Sequence, residues 1–194
     1  MSEGKVSPEE AIARYDRYLQ EFVEELNVCP FARKAREEGR LARMVCEVTT
    51  PDVEAAVQSL LQLAARPRES LDVAVLIFSC LEADWSSFNR YVGRIREAFT
   101  PRTTPPGEFY LVAMHPESPM DLANPDRAVA FMRRTPHPSI QVARASVIQS
   151  ARKGTGFGPG GVPDAVARTG LENVQRFGPE RARQLLDDIR RGRK

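Results

Sequence analysis

The chain has 194 residues and a formal net charge of +2, with 42% hydrophobic and 28% charged residues. A chain of this length can bury a core without a disulfide or a structural metal, and it is within the usual range of one domain. No apolar run approaches the roughly 20 residues that cross a bilayer, so the sequence excludes a membrane-embedded protein. The small net charge gives no argument for a nucleic-acid partner, although residues 190–194 (RRGRK) are locally basic.

The N-terminal segment, MSEGKVSPEE, lacks the basic region and apolar core of a secretory signal. We therefore expect a cytoplasmic protein with a single α/β domain over residues 1–194. The three cysteines form no CxxC pair, which argues against a disulfide framework and a zinc knuckle. Free thiols are predicted.

Helix signals dominate the first forty residues. Ser7 is a predicted N-cap, and apolar residues then recur at helical spacing as far as Leu26. Asn27 and Pro30 break this helix, because proline cannot continue a helix but suits the start of a new one. The sequence predicts a second, short helix over residues 30–38.

Three short segments have the pattern of strands. Residues 43–48 alternate between apolar and polar side chains, whereas Val73–Phe78 and Phe109–Met114 are almost continuously apolar. Predicted helices over residues 52–65 and 85–99 separate them. This alternation predicts a small, mainly parallel sheet of about three strands, flanked by N-terminal and C-terminal helices.

The C-terminal part of the sequence is helical in pattern and interrupted by prolines and glycines. Helices are predicted over residues 126–132, 138–152, 163–176 and 179–191. Residues 154–161 (GTGFGPGG) lack the Lys-Ser/Thr ending of a phosphate-binding loop and follow a predicted helix instead of a strand. We interpret them as a connector or lid.

The first candidate site residue is His115, which follows the third predicted strand. The carboxyl ends of parallel strands support functional loops, so the imidazole is placed where it can ligate a metal or transfer a proton near pH 7. The alternative is a histidine that only hydrogen-bonds to a loop carbonyl.

The second candidate is residues 133–138 (RRTPHP), which combine Arg133, Arg134 and His137. A helix predicted immediately downstream would add its N-terminal N–H groups. The segment is therefore a candidate binding site for a carboxylate or phosphate. The alternative is that the arginines form surface ion pairs.

The third candidate is Cys29, in the segment LNVCPFARKA. A thiol at the start of a helix lies near free backbone N–H groups, which stabilise thiolate. The residue is therefore a candidate nucleophile, redox thiol or soft metal ligand, including the axial thiolate of a haem. The alternative is a small buried residue at a helix junction.

Three of these stretches together resemble the bacterial family catalogued as domain of unknown function 1415: residues 27–32 (NVCPFA), His115-Pro116, and residues 134–138 (RTPHP). The positions that match the family pattern are Asn27, Cys29, Pro30, His115, Pro116, Arg134, Pro136, Pro138 and Arg144. The resemblance implies Asn27 and Arg144 as further substrate-binding residues. It establishes no activity.

The sequence also departs from that family pattern. Where the family usually has His and, four residues later, Glu, this chain has Gln141 and Ala145. At the position between the two prolines, where the family often has a tyrosine, this chain has His137. If the family histidine is a ligand or a base, it is either missing here or replaced by His137.

These residues leave three hypotheses for function. The first is an enzyme in which Arg133 and Arg134 hold a small anion while Cys29 and His115 perform catalysis. The second is a metal or haem protein that uses Cys29, His115 and His137 as ligands. The third is a sensor or partner-binding module without catalysis. The sequence determines neither the reaction nor the oligomeric state.

Overall fold

A computed structural model describes residues 6–29, 31–151 and 164–193 of the chain. In this part, helices cover both faces of a four-stranded mixed sheet. The strands are β1 (Leu41–Val45), β2 (Val73–Ile77), β3 (Phe109–Met114) and β4 (Ser139–Arg144). The helices are α1 (Pro8–Arg17), α2 (Ala32–Glu37), α3 (Val53–Ala64), α4 (Trp85–Phe99), α5 (Pro125–Met132), α6 (Ala145–Ala151), α7 (Asp164–Phe177) and α8 (Pro179–Arg190).

The α/β class is confirmed, but the prediction of a mainly parallel sheet of about three strands is wrong. The strand order is β1-β2-β4-β3, and only β1 and β2 are parallel neighbours. The fourth strand lies between β2 and β3 and is antiparallel to both. The three predicted strands therefore run in the same direction, with an antiparallel strand inserted among them.

That fourth strand occupies residues predicted as the first part of a helix over 138–152. Ile140 and Val142 are buried in the core on one side of the sheet, whereas Gln141 faces the other side. This period-2 arrangement and the β-branched side chains suit a strand that is covered on both faces. Helix α6 begins only at Ala145.

Local signals elsewhere in the chain located the elements well. The Glu10 N–H donates to Ser7 Oγ at 3.2 Å, and Asp52 and Asp84 cap α3 and α4 in the same way. Helix α1 continues as a π-helical segment, Tyr18–Glu24. Pro30 and the glycine-rich residues 154–161 lie outside the described residues. No described helix has both the length and the hydrophobicity needed to cross a membrane.

Two apolar clusters fill the space on either side of the sheet. Helices α3 and α4 pack on one face, around Phe78, Phe88 and Tyr91. On the other face lie α1 with its π-helical continuation, α5, α7 and α8. The second face carries the larger layer of helices, and the loop with Cys29 lies within it.

The register of β4 determines which loops meet at each edge of the sheet. Ser139 is opposite both Ile77 and Met114, so the carboxyl ends of β1, β2 and β3 meet the amino end of β4. We call this the strand-end edge. His115 and His137 both lie there, one residue after β3 and two residues before β4, whereas Arg144 lies at the opposite edge.

Candidate functional site

The predicted site residues divide between two cavities of the described structure. Cys29 and Arg133 line a pocket of about 190 Å³ against the helix-rich face of the sheet. His115 and His137 line a wider cleft of about 1220 Å³ at the strand-end edge. We call these the Cys29 pocket and the strand-end cleft. Cys29 does not line the cleft, so the structure does not bring the predicted Cys29, His115 and Arg133 together.

The Cys29 pocket has mainly apolar walls. Its floor is the sheet, through Val112 of β3 and Ala143 of β4, and its sides come from the π-helical segment, α5 and α7. The polar groups among its described lining residues belong to Tyr15, Tyr18, Cys29, Arg133 and Gln141. An enclosed apolar space with a few polar groups is the usual form of a small-molecule site.

Cys29 is held at the junction that the sequence indicated, but burial changes its chemistry. The backbone N–H groups of Phe31 and Ala32 stabilise its thiolate, as expected at a helix start, yet the larger effect of burial raises the pKa of the Cys29 thiol. The expected stabilisation by N–H groups is therefore present but outweighed by burial. Cys29 is a protonated thiol at neutral pH.

A buried ion pair fixes the loop that carries Cys29. Arg36 of α2 donates from Nε and Nη2 to the two carboxylate oxygens of Glu24, at 2.7 and 2.9 Å. Glu24 ends the π-helical segment and its side chain is only 4% exposed. Because this bidentate pair joins the elements before and after Cys29, it sets the position of the thiol.

Arg133 is the only charged residue among the described residues that line the Cys29 pocket. Burial lowers the pKa of its guanidinium, which nevertheless stays protonated because an arginine pKa is normally above 12. The neighbouring Tyr18 hydroxyl donates to the Met132 carbonyl at 2.5 Å. The described part of the pocket wall thus has one cationic side chain among uncharged ones.

Asn27 does not line either cavity. It is exposed and has a φ of 46°, in the left-handed region that asparagine tolerates better than most residues. The turn after the π-helical segment accounts for its presence. The prediction that Asn27 binds substrate is not supported.

His115 is almost completely buried, and both of its ring nitrogens are occupied. Nδ1 accepts from the Glu117 N–H at 3.0 Å, so Nε2 carries the proton and donates to the Ala83 carbonyl at 2.9 Å. Burial lowers the pKa of the imidazole, and the ring packs 5.5 Å from that of Phe88. These contacts fit the alternative interpretation, a histidine that anchors loops, better than a catalytic role.

His137 is in the opposite situation. Its Nε2 is buried and has no hydrogen-bond partner among the described residues. Burial, followed by the positive charges of Arg14 and Arg190, lowers the pKa of His137 to about 4. The imidazole is therefore neutral at physiological pH.

Arg134 contacts the loop that follows β3. Its Nη1 donates to the Ser118 carbonyl at 2.5 Å, and Asp187 and Arg190 lie near enough to influence its pKa, which burial lowers. The helix that was predicted to begin after Pro138 is strand β4. The expected help of a helix N-terminus in binding an anion is consequently absent.

Arg144 has a structural role at the far edge of the sheet. Its side chain is 5% exposed, pairs with Glu108 at 2.5 Å and donates to the carbonyls of Leu71 and Arg66. The guanidinium also lies 4.7 Å from the centroid of the Phe109 ring. All of these partners belong to the protein and Arg144 lines neither cavity, so substrate binding by Arg144 stays a prediction with no contact in its favour.

The described residues contain no group of three or more His, Cys, Asp or Glu side chains arranged to hold a metal ion. The predicted ligand set of Cys29, His115 and His137 therefore does not converge. His115 uses both ring nitrogens, and Cys29 lies in the other cavity. This separation also removes the geometric basis for a haem bound through Cys29 and one of the histidines.

Sequence reasoning missed several residues that line these cavities. Arg14 of α1 and Arg190 of α8 border the strand-end cleft, as does Cys80. Cys80 follows the carboxyl end of β2, so its position was a usable signal. The two arginines lie 176 residues apart in helices without a motif, and only the folded structure brings them together.

The sequence model of one family, described as protein of unknown function (DUF1415), matches residues 10–183, nearly the whole chain. No curated protein and no solved structure matches the chain. Gln141, where the resemblance leads us to expect histidine, lines the Cys29 pocket, whereas His137 lines the cleft. His137 therefore does not replace that histidine.

Replacing Arg144 by Gln should lower the free energy of unfolding by about 3 kcal/mol, because Glu108 would lose its buried partner. Urea titration measures this change. The control is Arg102→Gln, which removes the exposed pair with Glu54 and should cost less than about 1 kcal/mol. Unchanged stability of Arg144→Gln would contradict the structural role.

His137 should make the protein less stable in acid. Its folded pKa is about 4 and the pKa of an unfolded histidine is about 6.5, so between these values the unfolded chain binds more protons. Stability should thus fall as the pH falls from 6.5 to 4. In His137→Asn, the loss between pH 7 and pH 4.5 should be smaller by about 2 kcal/mol in urea titrations. Equal losses in both proteins would contradict a neutral, buried His137.

Proposed function

The chain belongs to the DUF1415 family, whose description names no activity, and we propose from its geometry that it binds a compact organic monoanion in the Cys29 pocket. One observation carries the proposal: a mostly apolar cavity with Arg133 as the only charged group in its described lining. The proposal keeps the small anionic ligand expected from the sequence. It moves the site from the strand ends to the face of the sheet.

The size and walls of the pocket limit the ligand. Drug-sized ligands occupy cavities of about 300–1,000 Å³, so a pocket of about 190 Å³ suits a molecule on the order of ten non-hydrogen atoms. Val28, Val112, Met132 and Ile148 are among the apolar side chains that would contact it. The body of the ligand is therefore expected to be a short alkyl chain or one ring.

The charge of the pocket favours an acid. No aspartate or glutamate is among the described lining residues of the pocket. A guanidinium can donate two parallel hydrogen bonds to a carboxylate, and such bonds are strong away from water. The Gln141 amide adds one further polar contact. A carboxylate at Arg133 with the apolar body towards β3 satisfies both parts of the pocket.

A second candidate function is thiol chemistry on the bound molecule. The specific observation in its favour is that the N–H groups of Phe31 and Ala32 act on the sulfur of Cys29 in the direction that stabilises thiolate. Against it, the described lining of the pocket contains no histidine or carboxylate that could accept the proton of the thiol. Binding is therefore our primary proposal.

Octanoate should bind the wild-type protein more tightly than octanamide, which has nearly the same shape but no charge. Arg133→Gln should weaken octanoate binding about tenfold or more and leave octanamide binding nearly unchanged, because only the acid uses the guanidinium. Isothermal titration calorimetry gives both affinities. The matched control is Arg127→Gln, which removes an exposed arginine of α5 that does not line the pocket.

A second variant tests the location of the site. Val112→Phe would place a ring in the pocket and should abolish the binding of both octanoate and octanamide. Its unfolding midpoint should show that the protein still folds. Equal effects of Arg133→Gln and Arg127→Gln, or normal binding by a folded Val112→Phe, would refute the proposed site.

The bound acid should protect Cys29 from alkylation. Cys29 and Cys80 are both partly exposed, and with iodoacetamide at pH 8 Cys29 should react slowly, because burial raises the pKa of its thiol. Octanoate should slow the alkylation of Cys29 and leave that of Cys80 unchanged, as measured by peptide mass spectrometry. Faster alkylation of Cys29 than of Cys80 at pH 7 would instead support the catalytic candidate.

A further inference from the structure

We propose that the strand-end cleft is a second site, in which His137, Arg14 and Arg190 bind an oxyanion, the phosphate or carboxylate group of a small molecule. This inference does not depend on the proposed function, because it uses a different cavity and different residues. The cleft lies at the strand-end edge, between the loops that follow β2 and β3 on one side and α1 and α8 on the other.

Three nitrogen-bearing groups in this part of the cleft lack hydrogen-bond partners among the described residues. His137 Nε2 and Arg14 Nε are both buried and without a partner. The guanidinium of Arg190 is exposed, and no described hydrogen bond or ion pair engages it. A buried polar nitrogen without a partner costs free energy, and an oxyanion would supply acceptors to all three groups.

The contacts of Arg14 show how these groups are held together. Arg14 Nη2 donates to Glu10 and Nη1 donates to the backbone carbonyl of Arg190, both at 2.6 Å. The bond to Arg190 ties α1 to the end of α8, and the bond to Glu10, within α1, helps to fix the orientation of the Arg14 guanidinium. Arg14 Nε is the buried nitrogen of this group that has no partner among the described residues. The Arg14 and Arg190 charges both act on His137 and favour its neutral form.

The acidic residues of the cleft are distributed unevenly. Glu82, Asp84 and Glu117 lie on the side of α4 and of the loop after β3, where Asp84 caps α4 through the Ser87 N–H and hydroxyl. Near His137, Glu10 is already bonded to Arg14, and Asp187 lies close to Arg134. Among the described residues, Arg190 and its neighbour Arg191 are therefore the exposed cations at this end of the cleft that are left for a ligand.

The chain has two histidines, which makes the test direct. The imidazole Cε1–H signals of His137 and His115 are followed by NMR from pH 3.5 to 8, in sodium chloride, sodium phosphate or sodium acetate of equal ionic strength. A bound oxyanion should raise the pKa of His137, because it stabilises the imidazolium. His115, with both nitrogens bonded inside the protein, is the internal reference.

Arg190→Gln and Arg193→Gln form a matched pair of variants. Both remove one exposed arginine near the end of the chain, but Arg193 pairs with Asp188 and does not line the cleft. Arg190→Gln should weaken phosphate binding about tenfold or more, measured from the concentration dependence of the His137 shift, and Arg193→Gln should change it little.

A rise in the His137 pKa with phosphate alone would identify a phosphorylated ligand, a rise with acetate alone would identify a carboxylate, and a rise with both would identify an oxyanion site without preference. All three results support the site. An unchanged His137 pKa in both anions, or equal losses in the two arginine variants, would overturn it.

Discussion

The antiparallel pairing of β4 between β2 and β3 determines where every candidate functional group lies. Because side chains alternate along a strand, Ile140 and Val142 enter the core beneath α3 and α4, whereas Gln141 and Ala143 face the Cys29 pocket. The same pairing places His137 at the strand-end edge and Arg144 at the other edge. A one-residue change of register would exchange the two faces and remove the floor of the pocket.

The two cavities have different physical characters because they have different relations to the sheet. The Cys29 pocket lies against a face, where its described lining has one guanidinium among mostly apolar side chains. The strand-end cleft lies at an edge, where loops and helix ends bring many charged side chains together. Residues 133–138 connect them: Arg133 lines the pocket, and His137 lines the cleft. Arg133 and His137, which belong to the same RRTPHP motif, thus line separate cavities.

Local rules located most elements correctly, because capping residues and apolar periodicity act within a few residues of each other. The boundaries of α4 and β3, for example, coincide with the predicted ones. The mistake at β4 arose because residues 139–144 are short and mostly apolar, a pattern that a helix and a central strand can share. Pairing partners far along the chain, at Val73–Ile77 and Phe109–Met114, decide between them.

The candidate site was less predictable than the fold. The sequence indicated Cys29, Arg133 and His137 as chemically able residues, but it could not show that burial protonates the thiol or that Arg14 and Arg190 approach His137. These properties depend on desolvation and on contacts across 176 residues of chain. His115 stood out for its residue type and Arg144 for the family resemblance, and both form hydrogen bonds inside the protein.

The central claim is that the Cys29 pocket is the ligand site, and methyl-selective NMR with octanoate tests it most directly. The account predicts that octanoate shifts the methyl signals of Val112, Val129 and Ile148, which line the pocket. The signals of Leu60 and Val92, buried on the other side of the sheet, should not move. Shifts confined to the α3 and α4 side would contradict the account. The absence of any shift, at octanoate concentrations well above those that fill other small apolar pockets, would also contradict it.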